Sequence, residues 1–110
     1  MNLADLASAR SGDKGNHANI VVVARSSEAF GWLQNHLTAQ RVADFFSGLS
    51  LSRIERFAVP SVRALNFVLY DVLDGGGSLS LRTDTQGKLL GTAILELPCP
   101  DAPSSLARQE

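Results

Sequence analysis

Arg10, Asp13 and Lys14 place two fixed positive charges and one carboxylate in a single short stretch, Arg10-Ser11-Gly12-Asp13-Lys14-Gly15-Asn16. Gly12 and Gly15 would let successive backbone N–H groups turn toward one point, as anion-binding nests do. Asn16 and Asn19 add neutral donors and acceptors where the stretch ends, and His17 adds an imidazole. Such a loop would cradle a phosphate or carboxylate through Arg10, Ser11, Gly12, Lys14, Gly15 and Asn16. Asp13 would then act as a general base or as the partner of Lys14, with His17 as a second candidate for handling a proton. The spacing is not that of a Walker A loop. The same composition also suits a solvated turn whose glycines only satisfy geometry.

A second group lies downstream. Drawn on a helical wheel, Leu65, Val68, Leu69 and Val72 form an apolar stripe, and Arg63, Asn66, Tyr70 and Asp74 fall opposite. Arg63 and Asn66 hold planar acceptors well, so they are candidates for a site near the first loop. A plain solvated helix face would look similar. Arg82, Asp84 and Lys88 form a third group, with the character of charges flanking a turn. His17 and His36 have no third ligand at metal spacing, so no metal and no cofactor is expected. No Ser-His-Asp arrangement is legible.

The elements that must position these residues follow from periodicity and turn chemistry. Asn2 to Ala7 predicts a short strand and Ser8 to Ala18 a long loop. Ile20-Val21-Val22-Val23-Ala24, an apolar run without alternation, predicts a strand covered on both faces. Phe30, Leu33 and Leu37 recur at helical spacing within Glu28 to Leu37. Thr38 is placed to cap a second helix carrying Val42, Phe45, Phe46 and Leu49, with Gly48 at its end. Leu51 to Val59 predicts a strand stopped by Pro60, and Ser61 to Leu73 a third helix broken by Gly75-Gly76-Gly77. Two further strands, Ser78 to Arg82 and Leu89 to Leu97, would flank a hairpin turn at Asp84 to Lys88. The expected order is ββααβαββ, an α+β two-layer sandwich with its helices on one face of the sheet and crossovers of ferredoxin-like type.

Length and composition set outer limits. With 110 residues, 45% hydrophobic and 19% charged, the chain suits one domain with an ordinary core. Residues 1–97 would form it, and 98–110, rich in proline and serine, would be a disordered tail. A net charge of -1 and a pI near 6.1 supply no field for nucleic acid. The single cysteine, Cys99, excludes an internal disulfide, and no apolar run approaches the ~18 residues of a membrane span. A cytoplasmic address is the expectation.

Three strings taken together resemble a known family. They are Ala9 to Asn16 with Ala18-Asn19-Ile20, then Val59-Pro60-Ser61-Val62-Arg63-Ala64-Leu65-Asn66-Phe67, then Leu73-Asp74-Gly75-Gly76 leading to Ser80-Leu81-Arg82 and Asp84 to Lys88. The combination resembles the C-terminal, ferredoxin-fold-like domain of AtuA-type acyclic terpene utilisation proteins, in a standalone version. That resemblance implies involvement in catabolism of branched or terpenoid acids as coenzyme A thioesters. It also groups Arg10, Asp13, Lys14, Asn16, Asn19, Arg63, Asn66 and Arg82 as one site, without naming a reaction.

Three functions remain open on these grounds. The chain could be a small subunit or accessory domain of a larger AtuA-like protein with an acyl-CoA or carboxylate ligand. It could be a self-contained hydratase, dehydratase or lyase. It could also be a non-catalytic structural module. A sheet with one open face also suits a homo-oligomer.

Overall fold

The computed structural model describes residues 1–49, 51–72 and 89–107. Over these the chain runs β1 (Ala7–Lys14), β2 (His17–Ala24), α1 (Ser27–His36), α2 (Ala39–Phe45), β3 (Arg53–Val59), β4 (Ala64–Tyr70) and α3 (Leu89–Ile94), with three short 3₁₀ turns. The result is a small α+β protein with a four-stranded antiparallel sheet ordered β1-β2-β4-β3. The two helices between β2 and β3 carry the chain past β4, so β4 sits antiparallel between two parallel strands, a split β-α-β arrangement. The order is ββααββα over the described residues, not ββααβαββ.

The alternation of β2 explains how the core forms. Ala18, Ile20, Val22 and Ala24 are buried, while His17, Asn19, Val21 and Val23 are half-buried on the other face. The run of valines is therefore not covered on both faces, contrary to the expectation. On β4, Leu65, Phe67 and Leu69 continue the buried rows, and Ala29, Phe30, Leu33 and Leu37 of the α1 region, Val42 of α2, and Leu90 and Ile94 of α3 pack in the same cluster. The first two helices form where their stripes predict, the second on the cap expected at Thr38 and the first on Ser26, which was not anticipated. Ser26 Oγ accepts from Ala29 N–H at 3.0 Å and Thr38 Oγ1 from Arg41 N–H at 3.1 Å, each satisfying a donor left open at a helix start. The second helix gives way at Phe45, three residues before Gly48.

Four of the expected elements take another form. The stretch Ser8 to Ala18 is not a loop. It is β1, a two-residue turn at Gly15-Asn16, and the start of β2, in unbroken register from Ala7↔Ala24 to Lys14↔His17. Gly15 has φ +65°, which suits the first central position of a type II′ hairpin turn. The small residues of β1 that look like loop composition let α3 approach. A Cβ on Gly91 would lie 2.8 Å from the Ser11 backbone nitrogen.

The predicted third helix is a 3₁₀ turn at Pro60–Val62 followed by β4. Its wheel left out Phe67, which lies off the helical stripe but on the alternating row, and is fully buried. The predicted strand Leu89 to Leu97 contains α3, whose Leu90 and Ile94 are buried one helical turn apart. Asn2 to Ala7 is a 3₁₀ turn at Leu3–Asp5 that then enters β1. The expected strand Ser78 to Arg82, its hairpin turn, Arg82 and Asp74 lie outside the described residues.

The segment after Pro98 is attached as far as Ala107, where fraying was expected. Cys99 N–H donates to Met1 O at 2.8 Å, Cys99 is buried, and Ala102 and Leu106 pack on the core.

Candidate functional site on the open face of the sheet

Residues directly opposite in neighbouring strands share a face, so the register assigns every strand position. Three rows run toward the helices: Ala9–Val22–Leu65–Ala58, Ser11–Ile20–Phe67–Arg56 and Asp13–Ala18–Leu69–Ile54. The other face carries Ser8–Val23–Ala64–Val59, Arg10–Val21–Asn66–Phe57 and Gly12–Asn19–Val68–Glu55. Beyond these, Lys14 is paired with His17 and Tyr70 with Arg53. This second face holds a groove of about 510 Å³ lined by His17, Ala18, Asn19, Phe57, Asn66, Val68 and Tyr70.

Strand geometry thus brings Arg10, Gly12, His17, Asn19 and Asn66 to one face. Asn19 Nδ2 donates to Asn66 Oδ1 at 3.5 Å, at the outer limit of a hydrogen bond, so the two amides are only loosely tied. Gly12, opposite Asn19, leaves the β1 side of the floor without a side chain. Arg10 is exposed, on the same row as Asn66, and enters no ion pair among the described residues.

One end of the groove is held by a network. Asp71 N–H donates to His17 Nδ1 at 2.9 Å, so the neutral imidazole carries its proton on Nε2. Asp71 makes this contact from a left-handed backbone (φ 63°), and its carboxylate accepts from Ser52 Oγ at 2.6 Å. The His17 ring meets Tyr70 edge to face at 4.9 Å, and Tyr70 OH donates to Glu55 Oε1 at 2.5 Å. Arg53 lies 4.1 Å over the Tyr70 ring and 3.8 Å from Glu55. Tyr70 first and Glu55 second push the Arg53 pKa up, so that guanidinium stays charged and engaged.

Not every expected site residue belongs to this groove. Ser11 faces the helices, where its Oγ accepts from Gly91 N–H at 2.6 Å. Asp13 stands on the same helix-facing side, on the row of the buried Ala18, so it does not share a site with His17. Gly15 and Asn16 form the exposed hairpin tip. In the extended backbone of β1 successive N–H groups point alternately toward β2 and away from it, so the expected cradle of converging N–H groups does not form. Arg63 lies at the far end of β4, exposed and left-handed (φ 54°), with its carbonyl accepting from Ala24 N–H.

Asn66 and Tyr70 do share a face, because residues four apart coincide under both the helical and the strand period. Phe57, Val68, Glu55, Arg53 and Asp71 were not anticipated. Alternation along Arg53–Val59 was the available signal for Phe57, whereas the role of Asp71 depends on a left-handed backbone that no sequence pattern announces.

Phe57, Val59 and Val62 are 48%, 41% and 58% exposed. Phe57 and Val59 share the open face with Val21 and Val23, and Val62 lies in the turn that follows β3. The polar cluster therefore borders an apolar patch. Among the described residues no helix is long and apolar enough to cross a membrane. Residues 1–100 match the family model of the AtuA ferredoxin-like domain, whereas no curated protein and no solved structure shows significant similarity. With nine-tenths of its length inside that match, the chain belongs to the AtuA ferredoxin-like domain family.

Proposed function

We propose that this domain is a small subunit or accessory domain of a larger AtuA-like protein acting on branched or terpenoid acyl-CoA compounds. Its open sheet face would form one wall of a composite site. The observation that carries this is the meeting, on one face, of the groove polar residues with exposed Phe57 and Val59. An apolar patch rimmed by polar groups marks an interaction surface. Arg10, His17, Asn19 and Asn66 face the ligand, and the apolar end meets the partner.

Co-expression with a larger AtuA-like protein, followed by size-exclusion chromatography, tests the assignment. A defined complex is expected, and Phe57→Asp should weaken it at least tenfold, as expected for burying an unpaired charge. Two species that elute separately at micromolar concentration would overturn it.

A second reading has its own support in the fixed imidazole of His17, whose Nε2 is left for a substrate. On that reading the domain is a self-contained hydratase, dehydratase or lyase, with His17 moving the proton. Turnover of an acyl-CoA by the isolated protein, lost in His17→Gln and kept in Asp13→Asn, is the signature.

A further inference from the structure

The two edges of the sheet differ. β1 lies at one edge, where Gly91 of α3 closes on the Ser11 backbone. β3 lies at the other, and the register shows which of its backbone groups are already used. Ala24 N–H donates to Arg63 O at 2.9 Å in continuation of the β2–β4 register, so Leu65, Phe67 and Leu69 turn their ladder groups toward β2. Ala64, Asn66, Val68 and Tyr70 therefore turn theirs toward β3, where Val59, Phe57, Glu55 and Arg53 answer them. Ile54, Arg56 and Ala58 are left with N–H and C=O pointing out of the sheet. Among the described residues nothing bonds to these groups.

Free edges of natural sheets are blunted by charges, bulges or a covering element. Between Arg56 and Arg63 this edge carries no charge. Phe57, Ala58 and Val59 are all exposed, and Pro60 ends the pairable stretch. Such an edge takes another extended strand.

Its own copy fits it. Antiparallel pairing about a two-fold axis at Glu55 or at Arg56 would set like charges face to face. With the axis at Ala58, Arg56 would face Pro60, which has no N–H to give. With the axis at Ile54 it would face Ser52, whose N–H already goes to Tyr70 O. With the axis at Phe57 none of this happens. Arg56 meets Ala58 of the second copy and the two exchange both N–H···O bonds, Glu55 meets Val59, and Phe57 meets its own counterpart. Phe57 then falls at a non-hydrogen-bonded pair, where facing side chains come closest.

We propose that two copies of this domain pair edge to edge through β3 in this register. The product is one continuous sheet with Phe57 of both copies side by side on its open face. The two-fold axis uses up this edge in each copy, so assembly stops at the dimer. The contact is main chain at a strand edge. It leaves the open face to a larger protein and does not depend on the accessory-domain assignment.

Sedimentation velocity of the whole chain tests the pairing. The sedimentation coefficient should rise from monomer to dimer over roughly the micromolar to millimolar range, as suits a small interface. Ala58→Pro removes an N–H that β4 does not use, so it should keep the native circular dichroism spectrum and weaken the dimer by about tenfold or more. Phe57→Lys sets two like charges opposite each other and should weaken the dimer similarly with the backbone unchanged. The register is read by disulfide trapping in a Cys99→Ala background. Phe57→Cys should give a covalent dimer on mild oxidation, because the Cα atoms of a non-hydrogen-bonded pair lie within disulfide reach. Val59→Cys, which faces Glu55, should not.

A chain that stays monomeric up to about 1 mM, a dimer of unchanged strength in both Ala58→Pro and Phe57→Lys, or faster trapping of Val59→Cys than of Phe57→Cys would each overturn the proposal. Failure to bind a larger AtuA-like protein, with the dimer intact, would overturn the accessory-domain assignment alone.

Discussion

Ser11 and Gly91 bring α3 into close contact with β1. Gly91 N–H donates to Ser11 Oγ at 2.6 Å, and a Cβ at position 91 would meet the Ser11 nitrogen at 2.8 Å and the Arg10 carbonyl carbon at 2.9 Å. These are backbone atoms that cannot swing aside. Gly91→Ala should therefore cost about 1–3 kcal/mol, the range for overpacking a fitted contact, read as a lower urea midpoint. Arg63 presents the opposite case. It is exposed and left-handed, a conformation that costs an L-residue roughly 1–2 kcal/mol, of which the extra chain entropy of glycine returns about half. Arg63→Gly should raise stability by about 0.5–1 kcal/mol, read as a higher urea midpoint. At this scale the sequence names Arg10, His17, Asn19 and Asn66, which the register gathers on one face, since charged, imidazole and amide side chains keep their chemistry in any fold. It misplaces Ser11, Asp13 and Arg63, because only the pairing register says which face a strand residue takes.

At the scale of elements, helices and strands differ in how well they announce themselves. The first two helices are legible because caps and apolar stripes are local. Thr38→Ala should cost about 1 kcal/mol through the lost bond to Arg41 N–H, measurable by chemical denaturation. β4 is not legible in the same way. Leu65 and Leu69 fit both periods, and the deciding residue is Phe67, buried at the centre of the sheet. Phe67→Ala should cost about 3–5 kcal/mol, a large part of the stability of a domain this size. Arg56 ties edge strand to helix. It occupies a helix-facing position of β3 and donates to the carbonyls of Gln34 at 2.9 Å and Leu37 at 3.0 Å, which the end of α1 leaves without helical partners. A charge in that row reads from sequence as an exposed position and becomes sensible only once α1 is packed beside it.

At the scale of the molecule, the two ends of the described chain are joined. Leu3 N–H donates to Leu97 O and Cys99 N–H to Met1 O, while Arg41 reaches the Pro98 carbonyl at 2.9 Å. Cys99 is buried between them, and desolvation, the largest influence on it, pushes its thiol pKa up. Between the thiol value of the unfolded chain, about 8.5, and the higher native one, the unfolded chain releases a proton that the native chain keeps. Cys99 should therefore make stability fall as pH rises above about 8.5. The urea midpoint of the native sequence should drop more between pH 7.5 and 9.5 than that of Cys99→Ala. Composition, cap residues and side-chain chemistry are properties of the chain itself, so the sequence alone determined a small α+β domain, two of its helices, its family and the polar residues it has to place. Which face each of those residues takes, whether Leu65 to Leu69 coils or extends, and how Asp71 fixes His17 depend on pairing between segments far apart in the chain. Only the tertiary structure decides these, because a strand gains its hydrogen bonds and its buried side from its neighbours rather than from itself.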